Sequence, residues 1–129
     1  MNHGKVAIII LNWNGKKDTL ECLESVRKID YQNFEVIVVD NGSSDDSLKA
    51  IQSKYPEICI LETGENLGYA GGNNFGMRHA LQNGADYILI LNNDIIVDSQ
   101  LINSFIDASA LIPKGGIFGA KIYYYSNYL

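Results

Sequence analysis

What most constrains the fold is an alternation between short apolar runs rich in β-branched residues and intervals with helical periodicity. The runs are KVAIIIL at 5–11, FEVIVV at 34–39, ICIL at 58–61, YILIL at 87–91 and, less cleanly, GIFGAKIYYY at 116–125. Runs that are apolar throughout, rather than on alternate residues, suit strands of a parallel sheet buried on both faces. The intervals carry the crossover helices that such a sheet requires. In the first, Leu20, Leu23 and Val26 recur at helical spacing, while Lys17, Glu21 and Glu24 mostly point elsewhere. Residues 43–55 open with Ser43 and Asp46 at capping-box spacing, then set Leu48, Ile51 and Tyr55 on one face before Pro56 stops the helix. A third helix is predicted over 70–83, closed by Gly84 at the C′ position. A fourth is predicted over 99–112, capped by Asp98 and ended by Pro113. The fold class is therefore α/β: a mostly parallel sheet wound by right-handed crossovers, with helices on both faces.

With 129 residues and 47% apolar positions, the chain supports one domain with its own core, and no repeat, linker or low-complexity stretch divides it. Residues 1–129 are read as that single domain. Tyr123, Tyr124, Tyr125, Tyr128 and Leu129 are strongly apolar for an exposed end. The expectation is that the domain continues on this C-terminal side, or that a second copy of the chain covers the Tyr-rich end as a homo-oligomer. A net charge of −5, with the ten Lys and Arg scattered, argues against a nucleic-acid surface. No apolar run approaches the roughly eighteen residues of a membrane-spanning helix, and the opening Met1-Asn2-His3-Gly4-Lys5 lacks a signal-peptide pattern. The expected location is cytoplasmic, with peripheral attachment at the inner membrane face an option for the full-length protein. Cys22 and Cys59 read as buried reduced thiols, and neither His3 nor His79 has a ligand partner at metal-site spacing.

Open α/β sheets bind ligands outside the carboxyl ends of their strands, so the residues just after each run are the candidates. They are polar in a patterned way: Asn12-Trp13-Asn14-Gly15, then Asp40-Asn41-Gly42-Ser43, and Asn92-Asn93-Asp94, with a Gly- and Asn-rich stretch from Asn66 to Asn74 between. A carboxylate at Asp40 can accept from a base N–H or from ribose hydroxyls, although Asp40-Asn41-Gly42 is equally a good turn sequence. The segment from Gly68 to Gly76 lets backbone and a helix start approach a diphosphate, or simply allows a helix to pack closely on the sheet. It is neither a dinucleotide fingerprint nor a P-loop. Asn92-Asn93-Asp94 offers oxygen ligands of the kind that Mg²⁺ or Mn²⁺ takes, or else an Asx-rich turn.

Taken together, VAIIILNWNG, FEVIVVDNGSSDDS, ENLGYAGGNNFGMRHAL and ADYILILNNDIIVD resemble, in order, the family 2 glycosyltransferases of GT-A fold, in particular the rhamnosyltransferase-like branch. The resemblance covers nearly all of 6–125. It implies an inverting glycosyltransferase whose nucleotide-binding half lies here, with Asn12 and Asp40 at the base and ribose. Asn14 and Asn41 flank them, and the loop containing Asn66, Gly68, Gly71, Gly72 and Asn73 lies along the nucleotide. Asn92-Asn93-Asp94 falls where the family carries D-x-D, with Asn93 at the donor and Asp94 and Asn92 at a divalent metal. Asn92 replaces a carboxylate there, a change worth about 4 kcal/mol for a unit pair roughly 4 Å apart at an effective dielectric near 20. Metal affinity without nucleotide is therefore expected to be weak. The implied partners are a UDP- or dTDP-linked sugar and a glycan or lipid-linked glycan acceptor. The family's catalytic base is expected beyond D-x-D, where this chain offers only Asp98 and Asp107, a helix cap and a helix surface residue. Two other readings stand beside this one. A non-catalytic nucleotide-binding or assembly module would keep the fold, whereas a receiver-type signalling domain would need an acidic pair where the chain has Asn12-Trp13-Asn14.

Overall fold

The structure, a computed structural model, describes residues 4–124. Four strands alternate with four helices: β1 (Val6–Asn12), α1 (Lys16–Val26), β2 (Phe34–Asp40), α2 (Ser47–Lys54), β3 (Cys59–Glu62), α3 (Gly68–Gln82), β4 (Tyr87–Leu91) and α4 (Leu101–Leu111). All strand pairings are parallel and the order is β3-β2-β1-β4, so β1 and β2 are interior and β4 lies at an edge. The register sets Asn12 beside Asp40 and Ile10 beside Leu91, which brings the polar strand ends to one rim.

Successive side chains of a strand point to opposite faces, and both faces are covered, as the unbroken apolar runs require. Val6, Ile8, Ile10 and Val38 pack with Leu23 and Val26 of α1, Ile51 of α2 and Ile102 of α4. Ala7, Ile9, Ile37 and Val39 pack on the other face with Met77 and Ala80 of α3. That second contact is close because Gly76 leaves room: a Cβ there would lie 2.8 Å from both Ile9 Cγ2 and Val39 Cγ2. One helix covers the interior strands on this face but not the whole of β4, where Ile90 stays 42% exposed.

Several helix ends differ from expectation. The Ser43–Asp46 capping box does not form, and α2 begins at Ser47. Ser43 Oγ is taken by Asn12 and Asn14, while the carboxylate of Asp45 bonds Ser47 N and Oγ and so starts the helix instead. Helix α4 begins at Leu101, not residue 99, because Asp98 Oδ1 accepts from Gln100 N and closes a turn before the helix. α3 ends as predicted. Gly84 has φ of +79°, and the Gly84 N–H to Leu81 O and Ala85 N–H to Ala80 O bonds complete a Schellman motif.

The predicted strand at 116–125 is absent over 116–124, and Tyr125 lies outside the described residues. Ile117, Ile122 and Tyr124 are exposed there, since no neighbouring strand pairs with this segment among the described residues. Apolar, β-branched composition does not make a strand without such a partner. Tyr128 and Leu129 also fall outside the described residues, as does His3. No helix among them is long and apolar enough to cross a membrane.

Candidate active site

The polar rim at the carboxyl ends of β1, β2 and β4 is organised by a buried chain of side-chain hydrogen bonds. Asn12 is 0% exposed and is its hub. The two N–H groups of its Nδ2 are shared among Asp40 Oδ1 (2.9 Å), Ser47 Oγ (2.9 Å) and Ser43 Oγ (3.1 Å), and its Oδ1 accepts from Thr19 Oγ1 at 2.7 Å. Thr19 Oγ1 in turn accepts from Asn93 Nδ2 at 3.1 Å, so the line runs from β4 through α1 and β1 to β2. Asp40 is 5% exposed, and its second oxygen accepts from Ser43 N at 3.1 Å. Burial of a carboxylate is tolerable here because donors meet both of its oxygens.

Neighbouring residues lock the loops around this hub. Asn14, at φ of +50°, accepts on Oδ1 from Ser44 N (2.8 Å) and Asp45 N (3.1 Å), which ties the loop after β1 to the loop after β2. Gly15 lets the first loop lie against Asn93, since a Cβ would sit 2.5 Å from Asn93 Nδ2. Asn41 is buried. Its Oδ1 accepts from Leu67 N at 3.0 Å and its Nδ2 donates to Gly68 O (3.1 Å) and Asn66 Oδ1 (3.2 Å). Asn66 Oδ1 also accepts from Gly68 N at 2.8 Å. The Gly-rich loop is thereby fixed over β2, with Gly68 at φ of +75° opening α3. Gly71 and Gly72 keep the first turn of α3 tight: a Cβ at Gly71 would meet Leu67 Cβ at 2.9 Å, and one at Gly72 would press on Leu11 and Asn41. Asn73 is buried, donates to Tyr69 O at 3.0 Å and keeps its Oδ1 unpaired.

Asn92 and Asp94 present a different picture, because both are exposed at the edge of the rim. Asn92 Oδ1 accepts from the Tyr69 hydroxyl at 3.0 Å, and its backbone oxygen receives the Cys22 thiol at 3.8 Å. Asp94 lines a hollow of about 210 Å³ together with Asp18, Glu21, Ile95 and Ile96. A larger hollow of about 390 Å³, near Phe34, Tyr55 and Ile58, lies at the amino ends of β2 and β3. The rim is the better candidate despite its smaller hollow, because strand carboxyl ends are where the polar groups converge.

Burial, and then the charge of Asp94, push the Cys22 thiol up to about 11. Cys59 is only half-buried, not fully buried as expected, and its thiol is also raised, by burial and then by Glu35. Both cysteines are free thiols, and Cys59 Sγ lies 3.7 Å from His79 Nε2. Among the described residues no group of three or more His, Cys, Asp or Glu could hold a metal ion by itself. The triplet instead offers one exposed carboxylate, which fits a hard cation that draws most of its ligands from phosphate oxygens and water.

Sequence reasoning singled out the strand-end amides but not Thr19 or Ser47, and it gave Ser43 the role of a helix cap and Tyr69 no role of its own. Thr19 could have been found, because it continues the buried stripe of Leu23 and Val26 at helical spacing and brings a hydroxyl to it.

A parallel sheet whose polar residues and Gly-rich loop gather at the strand carboxyl ends defines an open α/β class of fold. The chain matches Glycosyl transferase family 2 over residues 7–128 and belongs to that family. Among its relatives are glycosyltransferase GlyG of Streptococcus pneumoniae and an N-acetylglucosaminyl-diphospho-decaprenol L-rhamnosyltransferase of Mycobacterium tuberculosis. The first is 30% identical over 77% of this chain and 33% of its own length, the second 31% identical over 67% and 31%. The mannosyltransferase PcManGT of Pyrobaculum calidifontis, solved with GDP-Man and Mn²⁺, matches the fold with a TM-score of 0.76 and 23% identity, covering 85% of this chain and 33% of its own. S. aureus TarS 1-349 in complex with UDP-GlcNAc matches with a TM-score of 0.70 and 25% identity, covering 85% and 31%. The fold is GT-A, and this chain spans about a third of the length of these relatives.

Proposed function

We propose that this chain is the donor-binding part of an inverting, metal-assisted glycosyltransferase that takes a nucleoside-diphosphate sugar. The observation that carries the reading is the convergence of exposed Asn14, Asn66, Tyr69, Asn92 and Asp94 on one rim above a buried, hydrogen-bonded floor. Such a floor holds ligand-facing groups in place before the ligand arrives, which lowers the ordering cost of binding. Support comes also from the nucleotide sugars named in the TarS and PcManGT structures.

In this reading Asp40 and Asn12 shape the nucleoside end of the site. Asp40 is buried beneath the surface it defines, so its role there is to fix the Ser43 and Asn14 loop against which the nucleoside lies. The loop from Asn66 to Asn73 flanks the nucleotide, and the helix start at Gly68 offers partial positive charge to its phosphates. Asp94 would hold a divalent ion, Mg²⁺ or Mn²⁺, which when bound stabilises negative charge on the departing diphosphate. The acceptor hydroxyl, on a glycan or lipid-linked glycan, would attack the sugar in line. Its proton would go to a carboxylate base other than Asp98 or Asp107, since Asp98 is tied to Gln100 N and Asp107 lies exposed on α4. The chain by itself should therefore bind nucleotide and transfer sugar poorly.

Isothermal titration with UDP and dTDP, with and without Mn²⁺, tests the donor site. Binding strengthened by Mn²⁺ is expected, and Asp94→Ala should abolish the strengthening while leaving metal-free binding in place. Neither nucleotide binding under any condition would refute the reading.

A further inference from the structure

Tyr69 and Asn92 carry an inference that rests on this donor-site reading and sharpens it. Asn92 follows β4 at the rim and is exposed, yet one lone pair of its side-chain oxygen is already taken by the Tyr69 hydroxyl at 3.0 Å, which fixes the orientation of the amide. Tyr69 is the second residue of α3 and 62% exposed, but its backbone is anchored: its carbonyl accepts from Asn73 Nδ2, and Asn73 is 3% exposed. The backbone of Asn92 is held separately by the Cys22 thiol. A carboxamide is planar, with oxygen and nitrogen on opposite sides of Cγ. Fixing Oδ1 against the tyrosine therefore commits Nδ2 to the other side.

An amide nitrogen donates hydrogen bonds and offers no lone pair to a cation, whereas a phosphate oxygen accepts such bonds readily. We propose that Tyr69 is a positioning residue that turns Asn92 into a hydrogen-bond donor for an anionic oxygen of the bound nucleoside diphosphate, leaving Asp94 as the metal ligand of the triplet. This reverses the metal-binding role that its place in the triplet suggests for Asn92. It also accounts for an amide at this position: the carboxylate's attraction for a cation is exchanged for direct attraction to the diphosphate.

The test is titration of UDP and dTDP into the wild-type chain, Tyr69→Phe, Asn92→Ala and the double variant, each in Mn²⁺ and in EDTA. In EDTA, Asn92→Ala should weaken binding roughly tenfold or more, as expected for a lost hydrogen bond to a charged group. Tyr69→Phe should weaken it about three- to tenfold, within the range of one ordinary hydrogen bond. Because Tyr69 acts through Asn92, Tyr69→Phe should cost nothing further in the Asn92→Ala background. Asn92→Asp should weaken metal-free binding more than Asn92→Ala does, since it sets a negative charge against the diphosphate. The thermal midpoint of Tyr69→Phe should match wild type, which separates positioning from a structural defect. Unchanged EDTA binding in Tyr69→Phe, tighter Mn²⁺ dependence in that variant, or an equal loss in the Asn92→Ala background would each overturn the proposal. A wild-type chain that binds neither nucleotide would remove the donor-site reading and this proposal with it. Wild-type binding with an unaffected Tyr69→Phe would remove only the proposal.

Discussion

The rim's two ends use the same side-chain chemistry to opposite effect. Where β1 and β2 end, Asn12, Asp40 and Asn41 are buried and bonded to one another's loops; where β4 ends, Asn92 and Asp94 stand exposed. Position in the sheet explains the difference. β1 and β2 are flanked on both sides, so loops enclose whatever leaves their ends, while β4 is an edge strand with no strand on its outer side among the described residues. A polar residue at a strand end is thus enclosed or open to solvent according to the strand's neighbours, and Asn93, whose amide reaches back to Thr19, marks the boundary.

The sharpest way to break this comparison is Asn12→Ala. It removes partners of Asp40, Ser47 and Thr19 at once, and leaving buried polar groups, one of them a carboxylate, short of partners costs about 3 kcal/mol. Chemical denaturation should show that loss; one no larger than a surface substitution, about 0.5 kcal/mol, would mean that the interior end is not architectural. Gly76→Ala comes next. Its Cβ would meet Ile9 and Val39 at 2.8 Å, and overpacking of this kind costs about 1–3 kcal/mol, read from the same denaturation curves.

Cys22 gives a pH-dependent version of the test. Its thiol has an ordinary value of 9.0 and stands at about 11 in the fold. The folded state keeps the proton over that interval, so the contribution to stability is full below pH 9.0 and is lost as pH rises through about 11. Denaturation midpoints on either side of the interval should show the fall, and Cys22→Ala should flatten it. The smallest effect is expected at the exposed end, where Asp94→Ala should alter stability by no more than about 0.5 kcal/mol while removing the Mn²⁺ dependence of nucleotide binding.

The sheet was legible because its signal is composition over whole segments: YILIL marks β4 at its observed limits, and FEVIVV falls one residue short of β2. The misread segments are those where partners outside the segment decide. Ser43 is a competent cap by type, but Asn12 and Asn14 claim its hydroxyl from across the sheet. The apolar stretch after Gly116 has strand-like residues and no strand beside it. At the candidate site, residue type and strand-end position mark Asp40 and Asp94 alike. Nothing in the local sequence could say that one is enclosed and the other open, because that depends on strand order. Tyr69 was hidden for a similar reason: its link to Asn92 joins two elements whose separation along the chain conceals their contact.

The strand order also imposes a sequence in time. β1 is the first strand to be synthesised, and β2 can pair with it early, but its other edge has no partner until Tyr87–Leu91 has emerged. Pairings between segments so far apart close late, because a long loop must be ordered before the contact forms. The triplet at the end of β4 therefore owes its place on the rim to the longer-range of the two pairings made by β1. Completion of the rim thus depends on a pairing between segments about as far apart as any in the sheet.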